Sequence, residues 1–377
     1  MKKVILISAC SFSRPGPRVG MQFIAQILAR NGFEVHYVSQ PSSPVDCLSS
    51  SRRERFRRAW TGRNRFVEIE PNLVEHFVRA PYPVNKKFWV FPGQYHQYGR
   101  LLPRALTGIR FDLCIHDVSS CFPLVEHLSF RKMILRLNDH PEGFSYAVPL
   151  IIIRQLLRHI ASGRYQQIWP VSSPLLEYTR ELDPDGTHVL LSNGVDVQRF
   201  LEPGKDNHQA KTAVFVGALD KWVDFPLLDQ AARLLPDWRF DLYGPQMTPV
   251  QISSANIAVL GPMDYRNLPQ LLRGYQIGLI PFRSNERLIA MMERPLKFYE
   301  YLAAGLGIAS TAAGGLQRGM QGWARFGSTP PQFANAIHEA AGDLNKNVPA
   351  RKAFLETFSW ERIGELVLTN VEKCLAA

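Results

Sequence analysis

The stretch Glu293-Arg-Pro-Leu-Lys-Phe-Tyr-Glu-Tyr-Leu-Ala-Ala-Gly305 decides the fold of this chain. An apolar run at residues 276–282 precedes it and has the length of a buried strand. Pro295 is a residue that suits the first turn of a helix, and Gly305 is one that ends it. The sequence therefore predicts a strand, a loop and a helix that begins around Pro295, which is the repeating unit of an α/β sheet.

Two charged residues lie near the amino end of this predicted helix. Lys297 and Glu300 are three positions apart and share one face. Because unpaired N–H groups and the helix dipole attract anions at a helix N-terminus, a diphosphate would bind there. Lys297 would neutralise phosphate oxygens, and Glu300 would accept hydrogen bonds from two ribose hydroxyls. The alternative is an ordinary exposed pair on a capped surface helix.

Length and composition predict two globular domains in a reducing compartment. The chain has 377 residues, of which 46% are apolar. Its five cysteines show neither metal-ligand spacing nor a paired framework. The first residues, Met1-Lys-Lys-Val-Ile-Leu-Ile-Ser8, resemble the start of a signal peptide, but the apolar run is only about five residues long. No run approaches the roughly 18 apolar residues of a spanning helix, so we expect a cytoplasmic protein.

The positive charge is concentrated in the first half. Residues 1–180 contain 25 Lys and Arg against 12 Asp and Glu, and the remainder contains 19 against 21. Basic residues alternate with aromatic ones in two patches, which suits an anionic membrane surface. The patch residues are Arg52, Arg53, Arg57, Arg58 and Trp60 in the first, and Lys86, Lys87 and Trp89 in the second. A solvated loop with locally packed aromatics is the alternative. No nucleic-acid-binding signature is present, so we expect no nucleic-acid partner.

Apolar runs alternate with helix-like segments along the whole chain. This pattern predicts two doubly wound, Rossmann-like α/β domains with parallel sheets and a ligand cleft at their carboxyl edges. Strands are predicted near 4–8, 34–39, 66–69, 113–116, 132–137, 167–171, 213–217, 239–243, 257–260, 277–281 and 307–310, and first-half helices near 19–31, 87–106, 123–128, 147–161 and 174–182. The predicted domains are 1–196 (acceptor-binding) and 197–358 (donor-binding). A final helix, 359–377, would pack back across the junction.

Several stretches of the second half occur in an order that is typical of one superfamily. They are Ser192-Asn-Gly-Val-Asp196, Val214-Phe-Val-Gly-Ala-Leu-Asp-Lys-Trp-Val-Asp224, Leu242-Tyr-Gly-Pro245, Ala258-Val-Leu-Gly-Pro262, Leu279-Ile-Pro-Phe282 and the helix region described above. Together they resemble the donor domain of GT-B glycosyltransferases of bacterial cell-surface polysaccharide synthesis. The resemblance implies two facing Rossmann-like domains and transfer of a sugar from a UDP-sugar.

The first half resembles a narrower group. Its opening, residues 6–18, and Leu135-Arg-Leu-Asn-Asp139 are similar to the membrane-associated inverting glucuronosyltransferase of xanthan biosynthesis. That resemblance implies that Asp139 is the general base, that the donor is UDP-glucuronate, and that the first domain binds the membrane. Asp139 also follows an apolar run, where partial burial would raise its pKa and suit a base. A helix cap before Pro141 is the alternative.

The remaining donor-site candidates have less specific signals. Amides after Gly217 would help to hold the diphosphate, and Lys221 and Arg283 are further phosphate candidates. Phe282 would lie beside the nucleobase, or simply pack in the core. Glu293 would reach the sugar, although the eight-residue offset from Glu300 that retaining enzymes show falls on Met292. Because no glutamate stands at that position, the sequence favours a reaction that inverts the anomeric configuration of the sugar.

No metal or cofactor is expected for this mechanism. Asp183-Pro-Asp185 imitates a metal-binding motif, but its position predicts a turn. Two other functions fit the sequence: a nucleotide-sugar epimerase of the same architecture, which needs no acceptor, and a non-catalytic protein that binds anionic membranes.

Overall fold

The computed structural model describes residues 1–13, 19–49, 52–62, 65–83, 94–146, 148–201, 208–284, 286–343 and 347–377. The chain divides into two compact units. Residues 1–191 and 364–377 form the first unit, and residues 192–363 form the second. Each unit contains its own β-sheet.

The first unit contains a seven-stranded sheet in the order β3-β4-β2-β1-β5-β6-β7. Its strands are β1 (Lys3–Ile7), β2 (Glu34–Val38), β3 (Phe66–Glu70), β4 (Leu73–His76), β5 (Arg110–Asp117), β6 (Ser129–Leu137) and β7 (Gln167–Pro170). Its helices are α1 (Gly20–Arg30), α2 (Arg53–Phe56), α3 (Gln94–Gly99), α4 (Arg104–Thr107), α5 (Leu150–Ala161) and α6 (Ser173–Leu182). The interior residues of β1 are fully buried, because helices cover both faces of a parallel sheet.

Two local predictions for the first unit need correction. Strand β4 was not predicted; it pairs parallel with β2 and antiparallel with β3 through a turn in which Asn72 has a φ of 64°. The predicted helix 87–106 is two short helices, α3 and α4, because Pro103 stands before α4 and lacks the N–H that a continuous helix needs. Residues 84–93 of that prediction lie outside the described residues.

The second unit contains a six-stranded parallel sheet in the order β10-β9-β8-β11-β12-β13. Its strands are β8 (Thr212–Val216), β9 (Arg239–Tyr243), β10 (Ile257–Gly261), β11 (Ile277–Ile280), β12 (Gly307–Ser310) and β13 (Arg325–Phe326). Its helices are α7 (Val197–Leu201), α8 (Phe225–Arg233), α9 (Leu268–Leu272), α10 (Arg287–Ala290), α11 (Leu296–Ala303), α12 (Leu316–Gly319), α13 (Pro330–Ala341) and α14 (Val348–Thr357). The predicted pair of α/β domains is thus confirmed.

The last helix, α15 (Trp360–Ala376), contributes to both units. Its first turn belongs to the second unit, where Trp360 N–H donates to the carbonyl of Val195 at 3.2 Å. From residue 364 onward it belongs to the first unit, where the Asn370 carbonyl accepts a hydrogen bond from Gln167 Nε2 at 3.1 Å. The boundaries between the units fall after residue 191 and after residue 363. The sequence analysis predicted the first boundary after residue 196 and the start of the final helix at residue 359.

Candidate functional site

The carboxyl edge of the second sheet has the topology of a ligand site. Strand β8 is followed by β9 on one side, and β11 lies on its other side, so the winding direction reverses between β8 and β11. Ligands of doubly wound sheets bind at such a reversal. The loops that follow the two strands are joined there: Val223 bridges Phe282, and Arg283 N–H donates to the carbonyl of Trp222 at 2.8 Å.

At this edge of the sheet, two glycines allow their backbone to pack closely against neighbouring groups. Gly217 and Gly244 both have a φ of 153°, and Gly217 N–H donates to the Tyr243 carbonyl at 2.9 Å. A Cβ on Gly217 would lie 3.1 Å from Lys297 Nζ. A Cβ on Gly244 would lie 1.8 Å from the Gly217 carbonyl oxygen. Only glycine fits both positions, and the loop after β8 therefore lies directly against the lysine.

Replacing Gly244 with alanine should destabilise the second unit by about 2–5 kcal/mol, because it adds a backbone clash to an unfavourable φ. Urea unfolding measures this free energy. Gly322→Ala is the control, since Gly322 also has a positive φ of 81° but no atom lies within 4 Å of the position that a Cβ would take there. We expect the control to lose only about 1–2 kcal/mol. Equal losses in the two variants would contradict the close approach.

Lys297 lies between two aromatic rings at the start of α11. Its Nζ is 4.6 Å from the ring centroids of both Phe215 and Phe282. Pro295 is the N-cap of this helix and so stands just before the first turn. Burial lowers the pKa of Lys297 to about 8, and the charge of Glu300 acts in the opposite direction. The result is a partly desolvated cation beside the N–H groups of a helix start, which favours binding of an anion.

Glu300 forms a half-buried polar network with two residues that sequence reasoning did not identify. Its Oε1 accepts a hydrogen bond of 2.6 Å from the hydroxyl of Tyr265. The Arg199 guanidinium lies 4.4 Å from the centroid of the Tyr265 ring and donates to the Tyr265 carbonyl. Burial raises the pKa of Glu300, while Tyr265, Lys297 and Arg199 oppose that rise. The only available sequence signal was that Tyr265 lies in the loop after a predicted strand, residues 257–260.

The other predicted donor residues lie near this edge with partners of their own. Lys221 Nζ is 3.0 Å from Glu286 Oε2. Glu293 is buried, and its Oε1 lies 3.2 Å from Arg318 Nη2. Arg283 is half-buried, and its Nε has no hydrogen-bond partner among the described residues. The ring of Phe282 is only 3% exposed, so it contacts the core and Lys297; its place beside a nucleobase stays a prediction.

Asp139 lies just beyond the carboxyl end of β6 in the first unit. Its side chain is half-buried, and this loss of solvent raises the pKa of the carboxyl group to about 7. Within the described part of the chain no donor is hydrogen-bonded to this carboxylate. The nearby turn is instead capped by His140, whose Nδ1 accepts from Glu142 N–H at 3.2 Å. The carboxylate is therefore available to accept a proton near neutral pH.

The first basic patch is more paired than its sequence suggests. Asp46 binds Arg52 at 3.1 Å, and Glu54 binds both Arg57 and Arg58, at 2.9 and 2.8 Å. Arg53 donates to the Cys47 carbonyl at 3.3 Å.

Trp60 is also engaged, since its Nε1 donates to the Ser42 carbonyl at 2.8 Å. Arg57 and Arg58 line a surface depression with Thr61 and Gly62. The second patch, with Lys86, Lys87 and Trp89, lies outside the described residues.

Two further observations concern metals and membranes. Where the structure describes the chain, it contains no group of three or more His, Cys, Asp or Glu side chains placed to hold a metal ion. Asp183 lies in a turn, with Gly186 N–H donating to its carbonyl at 3.2 Å, as expected from the sequence. None of the described helices combines the length and the apolar character needed to cross a membrane.

Comparison with solved structures defines the class of fold. Sucrose-phosphate synthase from Thermosynechococcus elongatus superimposes with a TM-score of 0.69 at 15% identity, covering 100% of both chains. Anabaena HepE in complex with UDP and glucose gives a TM-score of 0.63 at 13% identity, covering 99% of this chain and 100% of the other. An E. coli structure described as trehalose-6-phosphate bound with UDP-2-fluoro glucose gives 0.60 at 12%, covering 98% and 96%. The chain has the two-domain GT-B fold.

Sequence comparison finds a protein family that resembles part of the second unit. Residues 210–343 match the family profile described as glycosyl transferases group 1. The protein TuaH of Bacillus subtilis (strain 168), provisionally described as a teichuronic acid biosynthesis glycosyltransferase, is 28% identical over 134 residues. That alignment covers 32% of this chain and spans about a third of the relative, 33%. A segment of the second unit, residues 210–343, is therefore similar to group 1 glycosyl transferases.

Proposed function

We propose that this chain is a glycosyltransferase that moves a sugar from a UDP-sugar to a lipid-linked or polysaccharide-precursor acceptor. The observation that carries the proposal is the desolvated Lys297 ammonium at the start of α11, beside the close-packed glycine backbone. A family match over residues 210–343 and structural neighbours described with UDP or UDP-glucose support it.

The donor role falls to the second unit. Lys297 and the first N–H groups of α11 would bind the diphosphate and stabilise it as it leaves. Glu300 would accept hydrogen bonds from the ribose hydroxyls. Because a lysine and a helix start already supply positive charge, we propose that the reaction needs neither a divalent cation nor a cofactor.

The base role falls to Asp139 of the first unit. Its carboxylate would take the proton of an acceptor hydroxyl, whose oxygen then attacks the anomeric carbon while the bond to UDP breaks. This is a single displacement, and it inverts the anomeric configuration. The position that retaining enzymes use is occupied here by Met292, which has no carboxylate, and this agrees with an inverting route.

UDP-glucuronate is our proposed donor, and the inner face of the plasma membrane our proposed location. The donor follows from the xanthan-pathway resemblance. The location follows from the exposed side chains of Arg52 and Arg57. Paired arginines still present a positive surface, because Arg residues outnumber the acidic partners there.

The decisive experiment measures UDP release from a panel of UDP-sugars in the presence of detergent-solubilised bacterial membranes. A glycosyltransferase releases UDP and requires the membrane fraction as the source of acceptor. An epimerase would yield an isomerised free sugar without any membrane fraction. A non-catalytic binding protein would sediment with anionic vesicles but give no calorimetric signal with UDP.

The pH profile of kcat/KM should be bell-shaped. Because burial raises the pKa of Asp139 to about 7, its basic form accumulates as the pH rises, and the rate should increase about tenfold per unit well below 7. Because burial lowers the pKa of Lys297 to about 8, the cation is lost above that pH and the rate should fall. Initial rates of UDP release between pH 5 and 10 would reveal both limbs; a flat profile would contradict both assignments.

A further inference from the structure

Glu300 has a fixed orientation that its own helix does not impose. A glutamate carboxylate has several rotamers, but here Oε1 accepts the Tyr265 hydroxyl at 2.6 Å. Tyr265 comes from the turn that follows β10, 35 residues earlier in the chain. One carboxylate oxygen is thereby engaged, which leaves Oε2 with its lone pairs for another donor.

Tyr265 is itself held in place. The Arg199 guanidinium stacks on its ring at 4.4 Å from the centroid and also donates to its backbone carbonyl. The Arg199 backbone N–H in turn donates to Asp196 Oδ1 at 3.2 Å. A cation against the ring face strengthens the hydroxyl as a donor, since it withdraws electron density from the phenol. The network thus runs from Asp196 through Arg199 and Tyr265 to Glu300.

We propose that Tyr265 is a positioning residue, which holds Glu300 so that its second oxygen accepts hydrogen bonds from the ribose hydroxyls of the donor nucleotide. Arg199 fixes Tyr265 in that arrangement. This inference rests on the proposed function, because it takes the nucleotide to bind at the start of α11. It makes the Tyr265–Glu300 pair the element that distinguishes a ribonucleotide from a deoxyribonucleotide.

Electrostatics gives the pair a second effect. Burial raises the pKa of Glu300, and the bond from Tyr265 acts against that rise, as do Lys297 and Arg199. An ionised carboxylate accepts hydrogen bonds more strongly than a protonated one. Removing the tyrosine hydroxyl should therefore weaken ribose recognition in two ways, by freeing the rotamer and by favouring the protonated acid.

The test is a double-mutant cycle between protein and ligand, measured by isothermal titration calorimetry. The ligands are UDP and 2′,3′-dideoxyuridine diphosphate, which lacks both ribose hydroxyls. Tyr265→Phe should weaken UDP binding about 5–10-fold and change the affinity for the dideoxy analogue less than about twofold. A role limited to folding would weaken both ligands equally, and that result would overturn the proposal.

Tyr275→Phe is the matched control. Tyr275 also donates its hydroxyl to a buried carboxylate, Asp241 Oδ2, at 2.5 Å, but it precedes β11 at the opposite edge of the sheet. This variant should keep the wild-type ratio of the two affinities. If UDP binds the wild type and Tyr265→Phe leaves its affinity unchanged, the inference alone fails. If UDP does not bind the wild type at all, the proposed function fails and the inference with it.

Discussion

Asp139→Asn should lower the turnover of UDP-sugar by about 10²–10⁴-fold, which is the usual contribution of a general base. The amide keeps the size of the side chain but cannot accept a proton from an acceptor hydroxyl. UDP affinity should not change, since the proposed donor residues all lie in the second unit. Initial rates of UDP release and calorimetry with UDP would measure the two quantities separately.

Asp112→Asn provides the control for this variant. Asp112 lies near the start of β5, at the opposite edge of the same sheet, where its Oδ2 accepts from Lys3 N–H at 2.8 Å. It is also a carboxylate that is partly exposed, with Arg131 Nη1 at 3.7 Å. Its replacement should leave turnover within about twofold. Full activity of Asp139→Asn would remove the base from our mechanism and reopen the question of inversion.

Lys297→Met should weaken UDP binding about 10–100-fold, which corresponds to the roughly 1.5–3 kcal/mol of a hydrogen bond to a charged group. Methionine preserves an unbranched apolar stem between Phe215 and Phe282, so packing should survive. Stability should stay equal or rise, because the variant no longer buries an ammonium group. Calorimetry with UDP and urea unfolding would test both expectations.

Lys211→Met is the corresponding control. Lys211 immediately precedes β8 and forms an ion pair with Asp237 at the amino edge of the sheet, far along the strand from Gly217. Its side chain is 55% exposed, so its loss should change UDP affinity less than about twofold. Equal affinity of the Lys297 variant and the wild type would place the diphosphate elsewhere.

The strands could be predicted from the sequence where burial on both faces makes them continuous apolar runs. That condition holds for β1 and β11. It fails for β4, whose Glu75 and His76 are buried although they are polar. Such a strand is specified by its partners β2 and β3 and has no apolar period of its own to detect.

The candidate site was predictable in its local parts and not in its distant ones. Lys297 and Glu300 belong to one short helix, and a helix-start pattern identifies them. The contacts of Glu300 with Tyr265 and of Lys297 with Phe215 join separate segments, so only the folded chain shows them. For the first basic patch, the spacing of the arginines did not show that Asp46 and Glu54 form ion pairs with them.

The division of α15 between the units limits how this protein can be recombined. Val367 and Val371 are fully buried in the first unit, although their helix starts in the second. A chimaera made by exchanging everything after residue 191 would replace these core side chains with foreign ones. A chimaera that exchanges the donor domain should instead be joined at two points, near residues 191 and 363. The first unit then keeps the part of α15 that packs in its own core.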